Sequence, residues 1–210
     1  MDGLLRVCTV NALGLNDIQK RNLFFNMLSK SDYNIFFLQE THASIQNVPL
    51  WSGEWQGPSY WNCATSQSRG VAILFKPNVN FKMENIIKDV NGRYLSITIQ
   101  YECQKLQLSN LYAPNTLIRE ENEAFFDFVQ AQLRSDLPQI IGGDFNMVED
   151  LDLDRKGGTK KEKHRWGLEA LKQMKHDYNL VDIWRIQNPQ KKCYSWHSFS
   201  QNIQSRLDRF

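Results

Sequence analysis

Short apolar runs alternate with polar stretches along the chain. Runs at residues 4–10, 35–38, 71–75, 94–99, 106–111 and 139–141 have the length of strands and are closed by polar or turn-forming residues. Helical periodicity lies between them. Asp17 is placed to cap a helix carrying Phe24, Met27 and Leu28 on one stripe. A second pattern groups Phe125, Phe128, Val129 and Leu133, and a third Leu168, Leu171, Met174 and Tyr178. Residues 59–112 read as nearly all strand. This interleaving predicts an α/β (α+β) chain, a layered α/β sandwich of two mixed sheets flanked by helices, and argues against a doubly wound parallel sheet. Residues 1–210 read as one domain. Two segments, 47–59 (rich in Trp, Gly and Pro) and the charged 150–165, read as long surface loops.

Composition narrows the class. The chain has 210 residues, 41% hydrophobic and 23% charged, with 12 Phe, 7 Tyr and 6 Trp, enough aromatic surface for a sizeable core and too much for a disordered chain. A net charge of +2 means that any nucleic-acid surface must be a local patch. Cys8, Cys63, Cys103 and Cys193 are scattered without a CxxC pair, which reads as reduced packing cysteines in an intracellular protein. No apolar run approaches the roughly 18 residues that span a bilayer. The N-terminus lacks the basic flank of a signal peptide. The expectation is an intracellular monomeric domain with no membrane partner.

Candidate chemistry sits where strands end. Asn11, Glu40, Asp144 with Asn146, and Asp208 each follow an apolar run. Residues just past strand ends gather along one edge of a sheet, where a cleft can form. Carboxylates and amides collected there suit Mg²⁺, which prefers oxygen ligands and uses one or two carboxylates with water and a phosphate oxygen. The remaining groups would orient and deprotonate a water for attack on phosphorus. Singly, each residue would serve equally well as a local strand or turn cap. The periodicity leaves both readings open.

Motif identity adds what periodicity lacks. Gln39-Glu40-Thr41-His42, Asn110-Leu111-Tyr112-Ala113-Pro114-Asn115, Gly142-Gly143-Asp144-Phe145-Asn146 and Ser205-Arg206-Leu207-Asp208 occur in that order. Together they resemble the endonuclease/exonuclease/phosphatase superfamily. The match is nearer to the apurinic-like endonuclease domain at the start of the second reading frame of LINE-type (non-LTR) retrotransposons. Leu153-Asp154-Arg155, the run from Leu180 to Arg185, Asn188-Pro189 and Tyr194-Ser195-Trp196 favour that branch. The resemblance covers nearly the whole chain from about Leu4.

The resemblance implies a Mg²⁺-dependent phosphodiesterase, with Mn²⁺ able to substitute. It would nick DNA to leave a 3′-hydroxyl that primes a downstream reverse transcriptase, in the nucleus. Glu40 resembles the metal-binding glutamate and Asn11 the asparagine that helps to hold the metal. Tyr112 resembles the tyrosine that contacts the scissile phosphate, Asp144 the residue that activates water, and Asn146 the amide that holds phosphate. Asp208 resembles the aspartate that orients a catalytic histidine. Ser195 falls where the family often has Thr near the site. Amide and phenol donors stabilise charge on phosphate oxygens, and a carboxylate can take a proton from water.

The family's last motif, Ser-Asp-His, does not occur in this sequence. The expectation is therefore a domain incomplete at the C-terminus, lacking its last strand or strands and impaired in catalysis. Of the histidines, His42 reads as a supporting residue beside Glu40. His164 and His176 read as solvated, and His197 lies in a predicted hairpin over 196–204 that in LINE-type enzymes approaches DNA. The cluster Arg155, Lys156, Lys160, Lys161, Lys163 and Arg165 reads as a phosphate-tracking patch, as a solvated loop or as a rudimentary nuclear-import signal. Arg69 and Asn115 read as cleft-rim residues. Trp51, Trp55 and Trp61 read as packing residues. Two alternatives remain: another substrate class in the superfamily (abasic-site repair or phosphatase activity) and a non-catalytic remnant that at most binds DNA.

Overall fold

The computed structural model describes residues 4–116, 118–158 and 166–210. Its contacts divide the chain into two compact units, Met1–Tyr112 with Asp136–Gly143, and Ala113–Ser135 with Asp144–Phe210. The strands and helices form mixed sheets with flanking helices, as the alternation of apolar runs predicts.

In the first unit the opening sheet is mixed, in the order β1 (Val7–Asn11), β2 (Ile35–Gln39), β4 (Val71–Phe75), β3 (Ser59–Asn62). β1 runs parallel to β2, because helix α1 (Ile18–Lys30) carries the chain back between them, and the other pairs are antiparallel. A second sheet places β8 (Gln139–Asp144), β7 (Gln104–Tyr112), β6 (Tyr94–Tyr101) and β5 (Lys82–Lys88) side by side. β2 and β4 are buried at every position, so each faces protein on both sides. Their alternate residues divide accordingly. Phe36, Leu38, Ala72 and Leu74 join Phe25, Leu28, Trp51, Trp55 and Trp61 in one apolar cluster beneath the helices. Gln39 points the other way and bonds to Asn110 of β7.

Two sequence expectations change here. Residues 47–59 are not a long loop: helix α2 (Val48–Trp55) occupies most of them, with a proline in its first turn, and buries Trp51 and Trp55. Trp55 Nε1 donates to the Phe75 carbonyl at 2.8 Å, and its ring meets Phe25 and Phe36 edge-on. The second change is the phase of α1. Asp17 does cap it, accepting from the Lys20 N–H at 2.7 Å. Its buried face, however, is Arg21, Phe25 and Leu28, while Met27 is exposed. Arg21 is 2% exposed because Glu54 of α2 takes its guanidinium at 2.5 and 2.9 Å, the Leu15 carbonyl accepts at 2.8 Å and Trp51 lies under it. A hydrophobic stripe read from sequence excludes arginine, so its phase slips by one residue.

The second unit is built on α3 (Arg119–Gln132), α4 (Leu168–Asp177) and the short α5 (Ile183–Gln187). α3 packs on α4 through Phe125, Phe126 and Val129 and through Leu168, Leu171 and Met174, close to the predicted stripes. A small antiparallel sheet joins β10 (Trp196–Ser198), β11 (Ile203–Ser205) and β9 (Arg155–Lys156), which realises the expected hairpin. β12 is Asp208–Arg209. Among the described residues no helix is long and apolar enough to cross a membrane.

Trp55→Ala is expected to destabilise the chain by about 3–5 kcal/mol, since a large buried side chain and the cavity it leaves both count. Chemical denaturation of the two proteins measures the difference.

Candidate active site

In the first unit three predicted residues meet. Glu40 Oε1 accepts from Asn11 Nδ2 at 3.0 Å and from the Tyr112 hydroxyl at 2.8 Å. Asn11 ends β1, Glu40 follows β2 and Tyr112 ends β7, so the strand-end pattern does converge for these three. Local geometry fixes Glu40. Its φ is 49°, a left-handed conformation that costs energy in a residue with a β-carbon. Backbone bonds on either side hold it: Gly14 N–H donates to the Glu40 carbonyl at 2.7 Å, Thr41 N–H to Gly70 at 3.0 Å and His42 N–H to Arg69 at 2.9 Å. His42 Nε2 lies 4.0 Å from Glu40 Oε2. Gly14, at φ 79°, leaves room for that ring, because a β-carbon there would stand 2.7 Å from His42 Nδ1. Arg69 acts here through its backbone, also at positive φ. The Arg93 guanidinium covers the Tyr112 ring at 5.1 Å and donates to the Tyr112 carbonyl.

In the second unit Asp144 is 6% exposed. Its Oδ1 accepts the Asn146 backbone N–H at 2.9 Å, and its carbonyl accepts from Ala113 at 2.8 Å. Asn146, at φ 49°, donates through Nδ2 to the Ala113 carbonyl at 2.7 Å. Asn115, two residues further on, is exposed. Phe145 N–H donates to the Leu207 carbonyl at 2.9 Å, which sets the chain around Asp144 beside the segment leading into Asp208. Ser195 is exposed, and its hydroxyl oxygen accepts the N–H groups of both Leu207 and Asp208, at 3.0 and 3.1 Å. It thus steadies the backbone that carries Asp208. His197 lies exposed on β10. Lys160, Lys161, Lys163, His164 and Arg165 fall outside the described residues.

The residues that organise this unit are not among the predicted site residues. Asp154 is 1% exposed although it was read as part of a surface loop. It pairs with Arg206 at 2.7 Å and with Arg185, while Arg206 also reaches Asp182 at 2.6 Å. The Trp184 ring lies under both guanidinium groups, at 4.9 and 5.1 Å. Glu149 pairs with Arg209 at 2.8 Å and with Lys175 at 2.7 Å, and Arg209 donates to the Met147 carbonyl at 2.5 Å. Burial alone would push the Asp154 carboxyl up, but the Arg206 and Arg185 guanidinium groups outweigh it and hold the carboxyl below the usual range. Burial likewise disfavours the charged Arg206, and Asp154 with Asp182 more than restore it. Arg155, read within a cluster that either tracks phosphate or is solvated, is half-buried and paired in register with Ser205. The signal for the lattice was present in the alternation of acid and base through 154–155, 182–185 and 206–209, but it resembled ordinary surface charge.

Among the described residues no three His, Cys, Asp or Glu side chains gather as a metal cluster. The donor set nonetheless fits Mg²⁺, which needs only one or two carboxylates beside water and phosphate. Glu40 offers a partly exposed carboxylate, oriented by two neutral donors that do not themselves compete for a cation.

A model of the endonuclease/exonuclease/phosphatase family matches residues 8–210. The chain belongs to that family. An uncharacterized 149 kDa protein of transposon TX1 from Xenopus laevis is 30% identical over 210 residues, covering 98% of this chain, which spans 16% of that protein's length. Among solved structures, an AP endonuclease from Archaeoglobus fulgidus superposes with a TM-score of 0.75 at 14% identity, over 98% of this chain and 85% of that one. The AP endonuclease LMAP from Leishmania major gives a TM-score of 0.68 at 18% identity, over 97% and 77%. The chain therefore has the endonuclease/exonuclease/phosphatase fold, and its transposon relative agrees with the branch that the motifs favour.

The lowered pKa of Asp154 predicts acid sensitivity with a definite sign. A carboxyl held below its ordinary value of 3.8 contributes stability that is fully present above that value and is lost as pH falls through the lowered one. Asp154→Asn should cost roughly 3–5 kcal/mol near neutral pH, because it leaves Arg206 under-compensated. It should also flatten the fall in stability below pH 3.8, as measured by denaturation midpoints against pH.

Proposed function

We propose that this chain is a Mg²⁺-dependent DNA endonuclease that nicks one strand for a LINE-type transposon. The 3′-hydroxyl it leaves would prime a reverse transcriptase of the same protein, acting in the nucleus. The observation that carries the reading is the Glu40 carboxylate held by Asn11 and Tyr112. Its motif neighbours and the transposon relative give the branch. Bound Mg²⁺ would neutralise charge on the phosphate being cut. Asp144 takes the proton of the attacking water, the new bond forms at phosphorus, the bond from phosphorus to the 3′ oxygen breaks, and the departing oxygen takes up a proton from solvent to become the 3′-hydroxyl. Asn146 donates to phosphate oxygens, where charge grows in the transition state, and Tyr112 would do so by turning its single hydroxyl proton from Glu40 to the phosphate. Asp208, with its backbone steadied by Ser195, would orient a histidine, as the aspartate it resembles does.

The test is relaxation of supercoiled plasmid with Mg²⁺. Asp144→Ala should lower the nicking rate by about 10²–10⁴-fold, the usual worth of a general base. Glu40→Ala should raise the Mg²⁺ concentration required, and chelation should stop the reaction. Wild-type rates from Asp144→Ala would overturn the assignment. Cleavage of abasic oligonucleotides in preference to intact plasmid would move the reading to a repair nuclease.

A further inference from the structure

We infer that Asn110 and Gln39 are positioning residues for the Glu40–Tyr112 pair. This rests on the metal site proposed above, and it concerns an interaction between two sheets of the first unit. Asn110 in β7 is fully buried, and its amide reaches across to the opposite sheet. Nδ2 donates to the Leu38 carbonyl of β2 at 2.9 Å and to the Ala72 carbonyl of β4 at 2.8 Å. Its Oδ1 accepts from Gln39 Nε2 at 2.6 Å. Gln39, also fully buried, donates as well to Thr9 Oγ1 of β1 at 3.0 Å and to the Phe37 carbonyl at 3.2 Å. One amide thus spans the gap to two strands, and a second ties in the third.

The placement of this clasp is what gives it a functional reach. Glu40 is the residue after Gln39, and Tyr112 lies two residues beyond Asn110. In a strand, positions i and i+2 share a face, so Asn110 and Tyr112 both project toward the first sheet. The gap that the Asn110 amide fixes is therefore the gap across which the Tyr112 hydroxyl meets Glu40 Oε1 at 2.8 Å. Apolar side chains at 110 would fill the space without specifying it, because dispersion contacts tolerate a few tenths of an ångström and directional amide bonds do not. A hydrogen bond two residues away supplies the length standard for the carboxylate.

The inference predicts coupling between sites that do not touch. Mn²⁺ affinity, read by electron paramagnetic resonance, would be measured for the unsubstituted chain, Asn110→Leu, Tyr112→Phe and the double variant, with thermal melts to establish folding. Asn110→Leu should weaken Mn²⁺ binding about 10–100-fold, the usual consequence of losing a group that orients a metal ligand. The double variant should bind no more weakly than the weaker single variant, because both substitutions act on the same carboxylate. Where Asn110→Leu does not fold, Asn110→Ser, too short to reach both carbonyls, takes its place with the same expectation. Independent effects that multiply in the double variant would overturn the positioning role, as would undiminished Mn²⁺ affinity in a folded Asn110 variant. If the unsubstituted chain binds no Mn²⁺, the metal-site reading itself falls.

Discussion

Leu38 and Ala72 lie on neighbouring strands of one sheet, and their carbonyls are bonded by a single amide, that of Asn110, arriving from the other sheet. Gln39 completes the arrangement by donating to Asn110 and to Thr9. Burying two amides is unfavourable unless their hydrogen bonds are met, and each lost bond in such a place costs about 1–3 kcal/mol. Because these bonds are met in one relative placement of the sheets, the two layers cannot slide without breaking several at once. Asn62 repeats the device, its Nδ2 donating to Asp89 and to the Tyr94 carbonyl. The aromatic cluster under α1 and α2 supplies driving force, and the amides supply register.

The second unit solves the same problem with charge. Arg206, Arg185, Asp154 and Asp182 form a buried lattice over the Trp184 ring, and Arg209 and Glu149 extend it. Such a lattice adds little net stability over a well-packed apolar core, since each charge must be desolvated. Its value lies in geometry. It joins the segment after Asp144 to the segment that bears Asp208, and Ser195 adds two further bonds there. Each unit thus keeps its candidate catalytic side chains next to a polar network rather than on a free loop, consistent with the rigidity that a proton transfer or a metal ligand requires. Positive φ at Glu40 and Asn146 belongs to the same picture, because local strain persists where surrounding bonds over-determine the backbone.

The amino-acid sequence by itself determined the class of fold, most element positions and the identity of the candidate residues. Strand and helix periods are local properties, and ordered motifs such as GGDFN do not depend on what they touch. The tertiary structure decided what those residues do for one another. Arg21 entered the core because Glu54, 33 positions away, receives it. Residues 47–59 became a helix because Trp51 and Trp55 have an apolar cluster to fill. Asp154 and Arg206, 52 positions apart, became a buried pair although each alone reads as surface charge. Asn110 and Gln39 were visible only as parts of motifs, and their joint role rests on two positions 71 apart in the chain being folded together. Pattern along a chain reports on period and composition, whereas a buried polar group is decided by the partner that satisfies it, and that partner is named only by the fold.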